Sequence, residues 1–360
     1  MAVDGWIFFT VAALLAIGIT MVLSTSYIYA QERFGDGTYF FRKQLIAAGI
    51  GFAGLLIAAA MPVEVYRKLA YPLMGAVLLV LVLLLVPGIG STRGGARRWL
   101  ILGGFAFQPA EVAKLSLLLY LSRSLAKKTE KMGSFALGVV PHLLVGGVFI
   151  GLIVLEPDLG TAVTLGLLLI LMLFIAGAKM SHLACLGLAA LPVVAVAVMG
   201  AEYRMRRLMT FLDPWRDASK SGFQIIQSYI AFGSGQLLGR GLGESRQKMF
   251  YLPEAHTDFI FSVIGEEMGL LGALGVLALF AVIIVRGLKL ASRIEEPFSQ
   301  YLAFGLTTLL GLQALIHMSV VMGLMPTKGL VLPFISYGGS AMMVNLVEAG
   351  MLLGLSRGRK

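Results

Sequence analysis

Long apolar stretches alternate with short polar connections along almost the whole chain. About ten of these stretches are long enough for a helix to cross the hydrocarbon core of a bilayer. They are residues 6–26, 44–61, 71–86, 110–125, 138–155, 160–176, 182–199, 259–285, 301–323 and 338–355. Because a chain in lipid must satisfy its backbone hydrogen bonds internally, such stretches predict helices. The pattern therefore predicts an all-α polytopic integral membrane protein with about ten transmembrane helices.

One polar segment, residues 201–258, is much longer than the other connections. The composition fits a membrane protein, since 58% of the 360 residues are hydrophobic, 13% are charged and the mean hydropathy is +0.88. These values exclude an ordinary soluble globular protein. We therefore expect one transmembrane domain over residues 1–360, with residues 201–258 as a loop within it.

The distribution of Lys and Arg predicts the orientation, because basic residues near helix ends stay in the cytoplasm. With Met1 taken as cytoplasmic, the inner connections hold roughly twice as many basic residues as the short outer ones. Both termini are thus predicted to be cytoplasmic, and residues 201–258 form a large extracytoplasmic loop between helices 7 and 8. The first stretch follows Asp4 and no basic residue, so we interpret it as a retained helix rather than a cleaved signal.

The formal net charge of +10 is explained mostly by the cytoplasmic helix ends, so the sequence does not predict nucleic-acid binding. Cys185 is the single cysteine, which excludes a disulfide within one chain, and the four histidines form no zinc motif. The exceptions to the positive-inside pattern are Arg97, Arg98, Lys114 and Lys328. They form a predicted outward basic set.

The first outward polar segment contains Arg97 and Arg98 and continues to Glu111 and Lys114. Glu111 and Lys114 are three residues apart and can pair on one helix face. A satisfied ion pair is one interpretation of this spacing. The other is an ammonium at the outer leaflet that binds a phosphate group.

The second outward segment is the long loop, which ends at Asp258 directly before an apolar helix. A carboxylate at the mouth of a membrane helix is costly and indicates chemistry at the bilayer surface. An ordinary helix cap is the alternative. Within the loop, residues 223–229 are typical of an amphipathic or interfacial helix.

The third outward segment, residues 323–340, contains two prolines and several glycines around Lys328. It predicts broken helix, which is tolerated at membrane depth only where protein or a cavity lines it. Such breaks occur at ligand sites of transporters as well as of enzymes.

Together these segments resemble the SEDS family, the shape, elongation, division and sporulation proteins that polymerise peptidoglycan from lipid II. The resemblance runs from residue 40 to the C-terminus. Its most specific parts are GARRW, FQPAEVAK, LPEAHTDFIFSVIGEE and GLMPTKGLVLPFISYGGS. The sequence is more similar to the division branch of the family than to the elongation branch. It departs from the family pattern at Ala110, Phe250 and Ala341, none of which is a predicted catalytic residue.

The resemblance implies the SEDS fold in the bacterial cytoplasmic (inner) membrane and a peptidoglycan glycosyltransferase for cell division or elongation. The 4-hydroxyl of one lipid II attacks the anomeric carbon of a glycan chain on undecaprenyl pyrophosphate and inverts the linkage to β-1,4. Pyrophosphate leaves well once its charge is balanced, so one base suffices and no second carboxylate is required. Asp258 is the predicted general base.

The other predicted site residues bind or orient the substrate. The pyrophosphate would be held by Arg97, Arg98 and Lys114, and Lys114 would be paired with Glu111. Asp258 or its loop would be oriented by Glu254 and His256. The cavity would be lined by Lys328, Ser336, Tyr337, Gly338, Gly339 and Ser340. No cofactor is required by the sequence; a divalent cation, Mg²⁺ or Mn²⁺, would share the role of the basic residues, although no ligand cluster demands a metal.

Two other functions fit part of the pattern. A lipid II flippase also needs a broken-helix cavity and basic groups, but its headgroup-binding residues should be reachable from the cytoplasm. A scaffold that only recruits division proteins leaves Asp258 and Lys114 unexplained. The family further implies a class B penicillin-binding protein as transpeptidase partner near residues 201–258, together with other membrane proteins of the divisome.

Overall fold

The computed structural model describes residues 3–93, 96–102, 105–248 and 252–358, which form twelve α-helices and three short strands. The helices are α1 Gly5–Phe34, α2 Tyr39–Ala60, α3 Val63–Leu85, α4 Pro109–Lys128, α5 Val140–Leu155, α6 Leu159–Ile175, α7 Met180–Met199, α8 Glu202–Leu212, α9 Phe223–Gly235, α10 Ile260–Ala291, α11 Pro297–Val321 and α12 Gly339–Arg357. The strands are β1 Ser91–Arg93, β2 Ala96–Leu102 and β3 Phe105–Phe107.

Each predicted apolar stretch coincides with one helix, and α8 and α9 are additional helices of the long loop. This confirms the prediction of a helical polytopic membrane protein. Among the described residues, seven helices are long and apolar enough to cross a membrane. The helices α4, α6 and α7 fall outside those seven, because α4 carries charges and the apolar parts of α6 and α7 are short. The count of about ten spans stays a prediction.

The centre of the bundle is formed by α4, α11 and α12, whose side chains are mostly buried. Small residues allow the helices to approach closely, as is common in membrane proteins. At Gly350 of α12, for example, an added Cβ would lie 2.3 Å from the carbonyl oxygen of Leu55 in α2. The outer helix α7 exposes most of its described apolar side chains, and α3 fully buries only five of its residues.

The helix ends gather at two opposite ends of the bundle. At one end, Asp4 caps α1 and accepts a hydrogen bond of 2.7 Å from Arg286 of α10, while its backbone N–H donates to Ser356 of α12. Arg67 of α3 pairs with Glu296 at the start of α11 at 2.8 Å. The opposite end of the bundle holds the long loop and the connections α1–α2, α3–α4, α5–α6 and α11–α12. That this second end is extracytoplasmic, and that both termini are cytoplasmic, stay predictions.

A small antiparallel sheet of order β1-β2-β3 lies between α3 and α4. In its two pairings Ser91 faces Trp99 and Leu100 faces Phe107. No strand was predicted here, because segments of three to seven residues give too little alternation to reveal a strand. The predicted site residue Arg97 is in β2, but its side chain lies outside the described part of the chain.

The helix α10 was predicted as continuous, and the structure corrects this prediction. It is broken at Gly269, whose φ of 67° and ψ of −167° are not helical. The break leaves backbone N–H and carbonyl groups without partners in the helix, and residues of the long loop form hydrogen bonds with them. The Leu270 N–H donates to the Gln236 carbonyl at 2.9 Å, and the Arg240 N–H donates to the Glu266 carbonyl at 3.0 Å. Exposed backbone at this depth is satisfied by protein rather than by lipid.

Two buried glutamates of α10 anchor the long loop beside this break. Glu266 accepts a hydrogen bond of 2.5 Å from Ser245, and Glu267 pairs with Lys248 at 3.0 Å. Ser24 of α1 also donates to Glu267, at 2.7 Å. A fully paired buried network of this kind specifies one arrangement of the loop.

The predicted amphipathic segment at 223–229 is helical, as part of α9, but its apolar face packs on protein. Ile225 and Ile226 are buried. Ser228 donates to the carbonyl of Val321 at 2.6 Å and bonds Ser262 of α10 at 2.7 Å. Thus α9 lies against α10 and the end of α11, which positions the loop around the start of α10.

Candidate active site

Asp258 lies in the turn before α10, where its backbone N–H donates to the carbonyl of Glu254 at 3.1 Å. Its side chain is half-buried. The residue that caps α10 is Phe259, which makes no side-chain cap bond. Beside the carboxylate is Gly329, where an added Cβ would lie 3.1 Å from Oδ2 of Asp258. The glycine therefore keeps space open next to the carboxylate, and we name this region the Asp258 site.

Burial and neighbouring charges place the pKa of the Asp258 carboxyl near neutrality. Burial, the largest cause, and the carboxylates of Glu254 and Asp158 raise this pKa, Arg98 and Arg207 lower it, and the resulting value is about 7. An acid with such a pKa is ready to accept a proton at neutral pH. The perturbation has identifiable causes in burial and in specific charges, which is typical of functional sites.

Arg98 reaches the Asp258 site from β2 and is held by Asp158. The Nη1 atom of Arg98 lies 3.6 Å from Oδ2 of Asp158. Asp158 is buried at the start of α6, where it accepts hydrogen bonds of 3.0 Å from the side chain of Gln108 and from both the backbone and the hydroxyl of Thr161. The carboxylate therefore has several donors besides Arg98, whose side chain remains 24% exposed.

Glu156 lies two residues before Asp158 and was not predicted as a site residue. It is buried, and neither carboxylate oxygen has a hydrogen-bond partner among the described residues. Burial raises the pKa of Glu156 to about 8, and the Asp158 carboxylate contributes. At neutral pH Glu156 is therefore mostly uncharged, so that the positive charge of Arg98 is not cancelled by a second anion.

A second arginine of the Asp258 site, Arg207, comes from α8. Its Nη1 atom donates to the carbonyl of Thr327 at 3.3 Å. Sequence reasoning missed Arg207 because α8 is rich in basic residues and no motif separates one from another. Lys328 follows Thr327 and is half-buried, and burial lowers its pKa.

The segment at 336–340, predicted to line the cavity, holds the backbone that carries Asp258. The hydroxyl of Ser336 donates to the carbonyl of Thr257 at 2.8 Å, and the N–H of Tyr337 donates to the carbonyl of His256 at 2.9 Å. Two bonds therefore fix the residues immediately before Asp258.

Gln44, a fully buried residue of α2, supports this segment in turn. Its Nε2 donates to the carbonyl of Ser336 at 3.1 Å, and its Oε1 accepts from the N–H of Gly338 at 3.3 Å. Gln44 was not predicted as a site residue, since one glutamine near the start of an apolar helix gives no signal by itself. It connects α2 to the Asp258 site through Ser336.

His256 and Glu254, predicted to orient Asp258, occupy different environments. The ring of His256 lies 4.8 Å from that of Phe40 and 5.7 Å from that of Tyr337, measured between centroids. Burial lowers the pKa of His256, so the ring is neutral and packs as an aromatic group. Glu254 is exposed and accepts from the hydroxyl of Thr257 at 2.9 Å.

Ser340 joins the sheet to α12 at the same end of the bundle. Its hydroxyl donates to the carbonyl of Ala106 at 3.3 Å and accepts from the N–H of Gln108 at 3.0 Å. Gly339 begins α12, and its neighbour Gly338 leaves little space, since an added Cβ would lie 3.2 Å from Val331. These residues are structural neighbours of the Asp258 site.

Lys114 and Glu111 are not at the opening of the Asp258 site. The side chain of Lys114 is 1% exposed, and its Nζ lies 2.8 Å from Oε2 of Glu111 and 2.5 Å from Oε1 of Gln313. Glu348 of α12 is also fully buried and interacts electrostatically with Lys114. We name Glu111, Lys114, Gln313 and Glu348 the interior cluster. The predicted pyrophosphate role of Lys114 stays a prediction.

Among the described residues, no group of three or more His, Cys, Asp or Glu side chains is arranged to hold a metal ion. Two cations, Arg98 and Arg207, act electrostatically on the Asp258 carboxyl. The arrangement is thus one carboxylate of near-neutral pKa beside cations that can hold an anion.

Comparison with known proteins gives full-length matches. The family model of the cell cycle proteins FtsW, RodA and SpoVE matches residues 5–360. The chain is 46% identical over 344 residues to the probable peptidoglycan glycosyltransferase FtsW of Geobacter sulfurreducens, with 96% of this chain and 92% of the relative covered. It is 41% identical over 345 residues to the stage V sporulation protein E of Bacillus subtilis, with 96% and 94% covered.

Two solved structures share the fold over the whole chain. One is a chain of a peptidoglycan synthase complex, solved to explain the structural coordination of polymerization and crosslinking. It has a TM-score of 0.82 at 31% identity, with 100% of this chain and 99% of that chain covered. The rod shape determining protein RodA of Thermus thermophilus has a TM-score of 0.74 at 29% identity, with 100% and 98% covered. With its fold and its complete length matched, the chain belongs to the FtsW, RodA and SpoVE family of cell cycle proteins.

Proposed function

We infer that the protein is a peptidoglycan glycosyltransferase that polymerises lipid II. The relatives named FtsW carry this activity in their names. The observation that carries the inference in this chain is the half-buried carboxylate of Asp258, with a pKa of about 7, on which the positive charges of Arg98 and Arg207 act.

Asp258 acts as the general base. As the acceptor 4-hydroxyl attacks the anomeric carbon, a bond forms between this oxygen and C1, and the bond from C1 to the pyrophosphate oxygen breaks. The hydroxyl proton passes to the carboxylate of Asp258, and the electron pair leaves with the pyrophosphate. Attack from the face opposite the leaving group inverts the α linkage to β-1,4. The space beside Gly329 is where the acceptor hydroxyl would approach.

Arg98 and Arg207 stabilise the pyrophosphate as its charge increases. Cations fixed in place before the reaction stabilise the transition state without reorganisation. Asp158 holds Arg98 but already has other donors, so Arg98 can turn toward a phosphate oxygen at small cost. Lys328, also at this end of the bundle, is a third candidate.

The reaction is placed at the extracytoplasmic face of the cytoplasmic membrane. The Asp258 site lies at the end of the bundle that the distribution of basic residues predicts to be outside. A lipid II flippase is less well supported, because Arg98 and Lys328 lie with Asp258 at this end of the bundle, and Lys114 of the interior cluster is paired with Glu111 and Gln313. A class B penicillin-binding protein is the proposed partner, docked near residues 201–258.

The test is a polymerisation assay with purified protein, its transpeptidase partner and lipid II, in which glycan strands are separated on a gel. Asp258→Asn removes the base and keeps the size of the side chain, so we expect polymerisation to fall by about 10² to 10⁴. Glu244→Gln is the matched control, since Glu244 is an exposed carboxylate of the same loop. Wild-type activity in a folded Asp258→Asn protein would show that Asp258 is not the general base.

A further inference from the structure

The helix α8 has an apolar stripe that is half-buried at Met205 and exposed from Met209 onward. Met205, Met209 and Leu212 are spaced by four and three residues and therefore share one face of the helix. Leu212 is 68% exposed, and Met209 is exposed as well. Trp215, 64% exposed, extends the stripe beyond the end of α8. We name these four residues the α8 stripe.

The opposite face of α8 is packed on protein. Thr210 is buried, and its hydroxyl donates to that of Ser221 at 2.8 Å. On the same side Arg207 donates to the carbonyl of Thr327. The helix is therefore docked with a defined face outward, so the exposure of the α8 stripe does not result from a detached segment.

The helix α8 follows a predicted membrane span. It begins three residues after Met199, the last residue of α7, and the end of α7 also exposes the apolar side chains of Val196 and Met199. If α7 spans the bilayer as predicted, a helix that begins this close to its end starts near the level where hydrocarbon meets headgroups.

Charges beside the stripe fit the same surface. Arg206 and Arg216 are exposed cations on α8 and just after it. Arg206 pairs with the highly exposed Glu202 at 2.8 Å. Hydrogen bonds from Ser221 lower the pKa of Asp217, and Arg206 also lowers it. Apolar and aromatic side chains next to basic residues are typical of helices that lie in the interface of a bilayer. A docking face for another protein would not need this border of cations.

We propose that α8 rests on the outer leaflet, with the α8 stripe inserted at the boundary of headgroups and acyl chains and with Arg206 and Arg216 on anionic lipid phosphates. This contact fixes the height of Arg207, which points the other way, relative to the bilayer. If the proposed function holds, Arg207 is thereby kept level with the diphosphate of a membrane-anchored substrate. The lipid contact itself does not depend on the proposed function.

Site-directed spin labelling tests the contact directly. Because Cys185 is the single cysteine, Cys185→Ala gives a cysteine-free full chain for labels at Met209→Cys and Leu212→Cys. Lys220→Cys, at an exposed loop position, is the control. In vesicles of phosphatidylcholine and phosphatidylglycerol we expect labels at 209 and 212 to be more accessible to oxygen than to a water-soluble nickel chelate, and the label at 220 to show the reverse.

Labels at 209 and 212 that behave like the one at 220 would overturn the proposal. This outcome is also expected if the stripe is a docking face for a protein, since no partner is present in these vesicles. The experiment needs no catalysis, so it separates the lipid contact from the proposed glycosyltransferase activity.

The consequence for Arg207 is tested with Leu212→Glu, which places a charge in the stripe. A charge there is costly in a bilayer, so we expect polymerisation in vesicles to fall about tenfold relative to wild type, with little change in detergent. Lys220→Glu, an exposed charge reversal, should leave both activities unchanged. Equal activity of Leu212→Glu and wild type in vesicles would contradict the coupling between the stripe and Arg207.

Discussion

Two ion pairs, Arg98–Asp158 in the Asp258 site and Lys114–Glu111 in the interior cluster, differ in the structure although their cations belong to the same predicted outward basic set. The side chain of Arg98 is 24% exposed and 3.6 Å from its partner, whereas that of Lys114 is 1% exposed and 2.8 Å from its partner. A cation can bind a substrate only if its own partner leaves it accessible, and only Arg98 meets this condition here.

The partners differ as much as the cations. Asp158 has donors from Gln108 and Thr161 and remains satisfied without Arg98. Glu111 and Gln313 depend on Lys114, and Glu348 lies near it with neither carboxylate oxygen hydrogen-bonded among the described residues. Removing one charge from a buried pair leaves the other unpaired at high cost. The interior cluster is therefore expected to act on stability and the Asp258 site on catalysis.

The largest expected effect comes from Lys114→Met. It leaves Glu111 without its cation in the interior, which should destabilise the protein by about 3–5 kcal/mol and lower the midpoint of thermal unfolding in detergent. Lys114→Met combined with Glu111→Leu should recover part of this loss, because Glu111 is then no longer a buried charge without its cation. An unchanged midpoint together with a raised KM for lipid II would instead support the predicted pyrophosphate role of Lys114.

Arg98→Met should show the reverse behaviour. Because Asp158 keeps its other donors, the loss of stability should be within about 1 kcal/mol. The loss of a cation from the leaving group should lower kcat/KM for lipid II by about 10². Arg42→Met is a control at the same end of the bundle, since Arg42 is in an exposed pair with Asp36. If both variants lost activity equally, Arg98 would have no special role.

The difference between the two pairs shows what the sequence can reveal. Apolar stretches of bilayer length predict helices because the membrane allows few alternatives, and Asp258 is conspicuous because a carboxylate is costly before such a helix. The burial of Lys114 depends on Gln313, which is 199 residues away in sequence. No local pattern contains that contact.

The same limit applies to the other features that were missed. The break at Gly269 requires the loop residues that bond to its neighbours, and Gly269 is one of 44 glycines spread through the chain. Arg207 enters the site because α8 packs near Thr327. Each is a consequence of tertiary packing, whereas the predicted helices follow from local composition.

A smaller effect is expected from Gln44→Ala, which tests whether the Asp258 site depends on its support. Without Gln44, the carbonyl of Ser336 and the N–H of Gly338 lose a partner, and the backbone before Asp258 becomes less well placed. Small misplacements of a catalytic group are costly, so we expect kcat to fall about tenfold with KM little changed. Partial rescue by Gln44→Asn, which keeps the amide donor and acceptor, would support a positioning role; loss of stability in proportion to activity would argue for a purely structural one.

The smallest effect is a shift in the pH profile. If Asp258 is the base, activity should fall as the pH decreases through about 7, because the carboxyl becomes protonated. The Glu254 carboxylate raises the pKa of Asp258, so Glu254→Gln should move this acid limb to lower pH. Arg207 lowers the same pKa, so Arg207→Ala should move the limb to higher pH in addition to weakening donor binding. Shifts of the acid limb in opposite directions in these two variants would identify Asp258 as the titrating group. Shifts in the same direction in both variants would show that another group controls the rate.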